Sequence, residues 1–277
     1  MKRRTWMWLI LAVLPTVTLA QYSYEPHVEG YLDVTFQSRY MWRGFKVFGN
    51  DSAMAYTAYV KEDTGFGAML QPHIANGGGW VEEQRWDYVL FYENIVGSDE
   101  RFALQYNFGY EYYNYPQRSS KVADLQELHL KLAMPSVFGV DGLVPSYTPV
   151  IMWQSRGTTS RTEVGHANGW FHIFALDYNI ETPGLTPESP TQPVRLHTEL
   201  VYNDGVNPIA HTTQSPVDND WSHFIIGAGT DFDIGYNISI TPEIYYQRTL
   251  DSSVSSVNGT HSSKDIVWFT LGAKWAF

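Results

Sequence analysis

Residues 102–112 read Phe102-Ala103-Leu104-Gln105-Tyr106-Asn107-Phe108-Gly109-Tyr110-Glu111-Tyr112. In an extended chain, successive side chains point to opposite faces. Phe102, Leu104, Tyr106, Phe108, Tyr110 and Tyr112 therefore share one face, and Ala103, Gln105, Asn107, Gly109 and Glu111 share the other. A soluble sandwich core has little room for so long a row of large rings. Contact with lipid suits that face, with its tyrosines gathered at the end where hydrocarbon meets water.

The same period of two recurs on either side. Val28, Gly30, Leu32, Val34 and Phe36 alternate with Glu29, Tyr31, Asp33, Thr35 and Gln37. Leu128, Leu130, Leu132 and Met134 alternate with Glu127, His129, Lys131 and Ala133. Val194–Tyr202, Ile238–Gln247 and Ile266–Phe277 follow the rule, and weaker candidates span Ala53–Glu62, Phe66–Ala75, Arg85–Ile95, Tyr147–Ser155, Trp170–Ile180 and Ser222–Phe232. The pattern predicts an all-β fold, a closed antiparallel up-and-down transmembrane β-barrel of about 12 strands. Asp63-Thr64-Gly65, Gly97-Ser98-Asp99 and Asp233-Ile234-Gly235 read as tight turns at one end. Longer polar loops surround Gly49-Asn50-Asp51, Asn76–Gln84, Asn114–Lys121, Gly157–Asn168, Asp204–Asp220 and Asp251–Lys264 at the other. Pro135–Ser146 and Thr182–Pro193 fall on the short-turn side yet run to a dozen residues, and their Pro and Gly content marks them as turns.

Composition fits this reading. Of 277 residues, 44% are hydrophobic, and the body of the chain has no apolar run long enough for a spanning helix. Alternating strands average out hydropathy, so that says nothing against a barrel. The 16% aromatic content, with 19 Tyr, 14 Phe and 10 Trp, suits interfacial girdles, with an aromatic-rich sandwich or sugar-binding domain as the rival. The absence of Cys removes disulfides and thiolate chemistry. Lys2-Arg3-Arg4, the apolar Trp6–Val17 and the small residues before Gln21 read as a signal peptide over 1–20, leaving a barrel over 21–277. The net charge of −11 becomes more acidic once those three bases are removed, which argues against nucleic acid as a partner. The alternating last strand ends in Trp275 and Phe277, on its lipid-facing register. It resembles the C-terminal signal read by the outer-membrane barrel assembly machinery of a Gram-negative envelope. That machinery, outer-membrane lipid and lipopolysaccharide are the expected partners, and the oligomeric state stays open.

Ser38-Arg39-Tyr40-Met41-Trp42-Arg43-Gly44 resembles the Ser-x-Tyr-x-x-Arg-Gly signature near the start of the TorF family of porin-like proteins. Tyr59–Gly67, Trp86-Asp87-Tyr88, Tyr110–Pro116 and Gln126-Glu127-Leu128 resemble later family features in the same order, so the likeness covers about residues 28–134. The resemblance implies an outer-membrane barrel with a porin-like role and supplies no substrate.

Candidate chemistry is sparse. A lipase-type rim site would need Ser, His and an orienting acid or amide. Ser222 and His223 near Asp218, Asn219 and Asp220 offer the types without a nucleophile motif, and read as a polar loop entering a strand. His211 and His261 have no convincing partner, and the nine His show no zinc spacing. Asp218 and Asp220 lack the rest of a calcium loop, and Gly77-Gly78-Gly79 lacks the Lys of a phosphate loop. No cofactor, metal or catalytic residue is expected. Register assigns the lumen Glu29, Asp33, Glu111, Glu127, Glu199, Asp231 and Glu243, with Arg39, Arg43, Lys131, Arg195 and Lys274. Arg39 and Arg43 are placed on the inward face at the outer end of the first strand, where they could oppose Glu127. Charges there must be hydrated or paired. A barrel of about twelve strands lies between the filled and open cases. The preferred expectation is a non-enzymatic channel passing small polar solutes or ions. A non-conducting barrel working through its outer loops is the alternative, and a hydrolase a distant third.

Overall fold

In the computed structural model, which describes residues 27–77, 83–98, 101–118, 123–155, 166–186, 189–209, 216–258 and 265–277, the chain's first and last strands close on each other. Strand β1 (Val28–Gln37) pairs along its length with β15 (Asp265–Ala276), from Tyr31 opposite Ala276 to Gln37 opposite Thr270. Phe277 adds a reciprocal backbone pair with Gly30, at 2.9 and 3.0 Å. Between them run β4 (Ala53–Glu62), β5 (Phe66–Ala75), β6 (Gln84–Val96), β7 (Leu104–Asn114), β8 (Leu125–Ala133), β9 (Leu143–Gln154), β10 (Gly169–Thr186), β11 (Ser189–Asp204), β12 (Asn219–Thr230) and β14 (Ile238–Thr249). Each pairs antiparallel with the next, so the fold is a closed twelve-strand antiparallel barrel. The short β13 (Phe232–Gly235) continues the line of β12 past Asp231, because both pair with β14. A two-stranded hairpin, β2 (Met41–Trp42) and β3 (Phe45–Lys46), and one helix, α1 (Ser252–Val257), lie in connections.

The outer face is apolar and uncovered: Leu32, Val34, Val60, Leu90, Phe108, Ile226, Ile244, Val267, Phe269 and Leu271 are all exposed. No described helix is long and apolar enough to cross a membrane. The staves have nine or more residues, the length a tilted strand needs to cross a bilayer core. Outward rings gather near the loop end, where Trp86 stacks with Tyr88, and Trp221 meets Tyr202 and Phe174. Trp275 and Phe277 lie together at the terminal end.

Several boundaries differ from expectation. The decisive strand begins at Leu104, after Phe102 and Ala103, and continues to Asn114. The connection expected over Pro135–Ser146 is shorter, because β9 already starts at Leu143. Thr182–Pro193 is largely strand: β10 and β11 stay paired to Thr186 opposite Ser189, past the last β9 partner at Tyr178 and the last β12 partner at Val194. Pro183, Pro190 and Pro193 suggested a loop. They sit where the ribbon projects with an edge lacking a ladder partner, the setting in which a strand tolerates proline. The turn expected at Asp233-Ile234-Gly235 is displaced to Tyr236 and Asn237, which both take positive φ, 57° and 60°. The expected signal peptide over 1–20, the mature start at Gln21, Gly78, Gly79, His211 and His261 lie outside the described residues.

Candidate functional site

The largest departure is the segment after β1. Arg39 and Arg43 do not extend the first strand, which stops at Gln37. The chain instead turns into the barrel as the β2–β3 hairpin. Its two-residue tip, Arg43-Gly44, has φ of 53° and 83°, the left-handed pair that matches the twist of a tight hairpin. The tip contacts opposite walls at once. Tyr40 stacks on His73 of β5 at 4.1 Å, Trp42 meets Tyr113 of β7 at 4.8 Å, and Arg43 donates to both oxygens of Glu127 on β8, at 2.8 and 3.0 Å. Across the lumen, Gln247 of β14 and Asn258 beyond α1 donate to the Gly44 carbonyl at 3.0 and 2.9 Å. Only a hairpin inside the barrel can reach all of these.

Around it the loop-end half of the lumen is dry. Phe45 is 0% exposed, and Tyr40, Val47 and Phe48 are buried against Leu125, Val150, Met152, Phe171 and Val201 of the wall. Wall positions here are small where the hairpin lies, as at Ala53, Ala55 and Ala75. Other connections close over it: Val206, Ile209, Val217 and Val254 belong to the same core, and the amide of Lys46 donates to Asn258 at 2.9 Å. His73 Nε2 lies 3.3 Å from Asp87 with both side chains buried, and the fixed-charge pair buried just as deeply is Arg85–Asp87. It is bidentate at 2.7 Å, with the guanidinium centred 3.8 Å from the Trp42 ring and 4.2 Å from that of Tyr113. Stacked and paired, that charge is compensated in a dry setting.

Below the hairpin tip the lumen is wet and charged. A cavity of about 890 Å³ opens at the terminal end and reaches up to Arg43, Glu111 and Glu127. Glu29, Lys61, Glu93 and Lys131 line it, and Lys61 bridges Glu29 at 2.6 Å and Glu93 at 2.8 Å. A second recess of about 330 Å³ holds Asp33, Thr35 and Lys274 with a cluster in which Arg195 meets Asp231 and, at 3.1 Å, Glu243. Tyr31, Tyr59 and Phe91 form an inward stacked ladder at 4.8 and 5.3 Å. Its gap at β5 is Gly67, where a Cβ would lie 2.1 Å from the Phe91 ring.

The expected lumen residues thus fall in four places. Glu29, Asp33, Lys131, Arg195, Asp231, Glu243 and Lys274 line the open recesses. Arg43, Glu111 and Glu127 meet beneath the plug. Glu199 faces the buried His223, whose Nε2 is 3.5 Å away, and Arg39 lies beyond β1 with its Nε buried and without a hydrogen-bond partner. Sequence reasoning missed Lys61, Glu93, Arg85, Asp87 and His73. The i, i+2 spacing of Arg85 and Asp87 between Trp86 and Tyr88 was the available signal. A bulge at Ser222 buries both it and His223, whose Nδ1 is 2.9 Å from the Ser222 hydroxyl oxygen. Asp218, Asn219 and Asp220 remain exposed at the rim and do not join this buried pair, whose acidic neighbour is Glu199 instead.

No family model and no curated protein matches this chain. Among solved structures it is similar to the NanC porin, at TM-score 0.52 and 10% identity, covering 88% of this chain and 98% of that one. The KdgM porin (TM-score 0.47, 9% identity, 89% and 99% covered) and KdgM porin in complex with disordered oligogalacturonate (0.48, 10%, 90% and 99%) also match. At such identity the likeness is one of fold: the chain has the barrel architecture of the NanC porin.

Proposed function

We propose that this chain is an outer-membrane, porin-like channel held shut in this conformation by its own first outer loop, and that it passes small polar solutes or ions when the hairpin withdraws. The carrying observation is the split lumen. A barrel needing only to be stable would gain nothing from an 890 Å³ charged cavity leading to the plug tip. The plug tip is held by side-chain hydrogen bonds and one ion pair, contacts that can be exchanged for water. In this reading the terminal end faces the periplasm and the loop end the exterior. Residues 1–20 direct export, Trp275 and Phe277 guide assembly, and the TorF-like Ser38–Gly44 stretch is the plug itself. The apolar packing around Phe45 favours a second reading, a permanently closed barrel acting through its outer loops.

One substitution separates the two. Tyr40 and Val47 are already joined by a backbone bond, Val47 donating to Tyr40 at 3.1 Å, so a Gly-Gly bridge can replace Met41–Lys46 without moving the flanks. In planar bilayers the intact protein should be silent or open rarely, and the Gly-Gly variant should show steady conductance. A silent Gly-Gly variant, with folding shown by heat-modifiable gel migration, would establish the closed-barrel reading.

A further inference from the structure

Beneath the plug tip, two carboxylates and an imidazole converge where only one carboxylate has a cationic partner. Glu111 and Glu127 are direct cross-strand neighbours on β7 and β8, and His129 follows two residues after Glu127 on the same inward face. One ligand-capable atom from each lies within 4.8 Å of the others. The His129 ring can lean in because β7 has Gly109 opposite it, where a Cβ would stand 2.3 Å from Nε2. Glu127 is 0% exposed and bound by Arg43, with His129 Nδ1 3.0 Å from its Oε1. Glu111 has no ion pair and no side-chain hydrogen bond among the described residues, and all three groups line the top of the 890 Å³ cavity. A second feature points the same way: the Tyr113 hydroxyl, on the same face of β7, is fully buried and leans on Glu127 without completing a hydrogen bond of good geometry.

We propose that Glu111, Glu127 and His129 form a binding site for a first-row divalent transition-metal ion entering from the cavity, and that this ion and Arg43 compete for Glu127. The inference goes beyond the channel reading, and its binding half does not depend on conductance. Two carboxylate oxygens and one imidazole nitrogen suit zinc, with a coordination position left for water from the cavity. Calcium and magnesium prefer all-oxygen shells of higher number, so the imidazole selects against them. Water on the ion would give the Tyr113 hydroxyl a partner. A guanidinium cannot stay on the same carboxylate beside a dication without strong repulsion. Filling the site therefore loosens the tip of the plug, and withdrawing the tip strengthens the site.

The test is titration of the folded, full-length barrel in detergent with zinc chloride by calorimetry, with calcium and magnesium as controls and folding checked by gel migration. One zinc should bind per chain. Glu111→Gln and His129→Gln should each weaken it at least tenfold, and Arg43→Gln should tighten it several-fold. If a Gln variant fails to fold, the rise in unfolding temperature of the wild-type protein with zinc, reversed by a chelator, gives the binding readout, and Arg43→Gln should enlarge it. Absence of binding, affinity unchanged by Glu111→Gln or His129→Gln, or affinity unchanged or weakened by Arg43→Gln would overturn the proposal. If zinc binds as described and the Gly-Gly variant stays silent, the site stands and the channel reading falls.

Discussion

The two halves of this lumen are lined by the same twelve staves and filled by opposite means. Towards the loop end, many inward residues are small or apolar, among them Ala53, Ala55, Ala75, Val150 and Val201, the buried charges are paired, and much of the bulk comes from a hairpin of the chain itself. Towards the terminal end they are long and charged, including Glu29, Lys61, Glu93, Arg195 and Glu243, and the space between them is open. A barrel of this width cannot be packed by its wall alone, because wall side chains fill only the narrowest barrels. The comparison shows how one strand set meets that constraint twice. Where the wall is small the loop enters, and where the wall is charged it stays out. The hairpin tip marks the border, with Arg43 contributed by the dry half and Glu127 by a stave that serves both.

The largest effect should come from unbalancing the dry half. Asp87→Ala leaves the Arg85 guanidinium, 1% exposed, without its counter-charge. The cost should be about 3–5 kcal/mol, the range for breaking a buried pair by removing one partner. Urea unfolding of the protein in lipid vesicles measures it. A loss below ~1 kcal/mol would mean that water reaches Arg85, and the contrast between the halves would collapse.

The wall was legible in the residues and the plug was not. Period-two alternation survives in a single sequence because each stave has one face in lipid and one inward, as Phe102–Tyr112 and Val28–Gln37 show. It reports which way a side chain points and not what it meets, so Arg43 and Glu127 could be opposed on paper while Arg43 was placed on the wrong element. The loop that enters the lumen is rich in Tyr40, Trp42, Phe45 and Phe48, a composition that reads equally well as a girdle. Two signals were available: Arg-Gly flanked by Trp42 and Phe45, which marks a tight hairpin, and the inward alanines of β4 and β5, which leave a space. The strand extension at Thr182–Pro193 was hidden for another reason. Proline argues against a central strand, and this ribbon has edges without partners.

A smaller effect tests how closely the hairpin fits. Gly44 takes a φ of 83°, and an added Cβ would stand 2.3 Å from Nδ1 of the buried His223. Gly44→Ala should combine left-handed strain with overpacking, for a loss of roughly 2–3 kcal/mol. The matching change at Gly49, also at positive φ but with nothing near its Cβ, should cost only the strain. Equal losses at the two positions in the same urea experiment would show that the tip is not seated against the far wall.

The smallest effect on stability belongs to the wet half. Lys61 holds Glu29 and Glu93 together, but its side chain is 24% exposed and theirs are 54% and 36% exposed, so water and salt screen the pair. Lys61→Ala should therefore cost less than about 1 kcal/mol, against several for Asp87→Ala. Its consequence should be electrical. Removing one positive charge from a wall that keeps Glu29 and Glu93 deepens the negative potential of the cavity, and a low-dielectric wall focuses that field on passing ions. In the Gly-Gly variant, Lys61→Ala should raise the preference for potassium over chloride, measured as the reversal potential across a salt gradient. The gain should be largest at low ionic strength and shrink towards 1 M salt, where the Debye length falls to about 3 Å. A large stability loss with unchanged selectivity would reverse the assignment: the terminal half would be the packed one, and its charges structural.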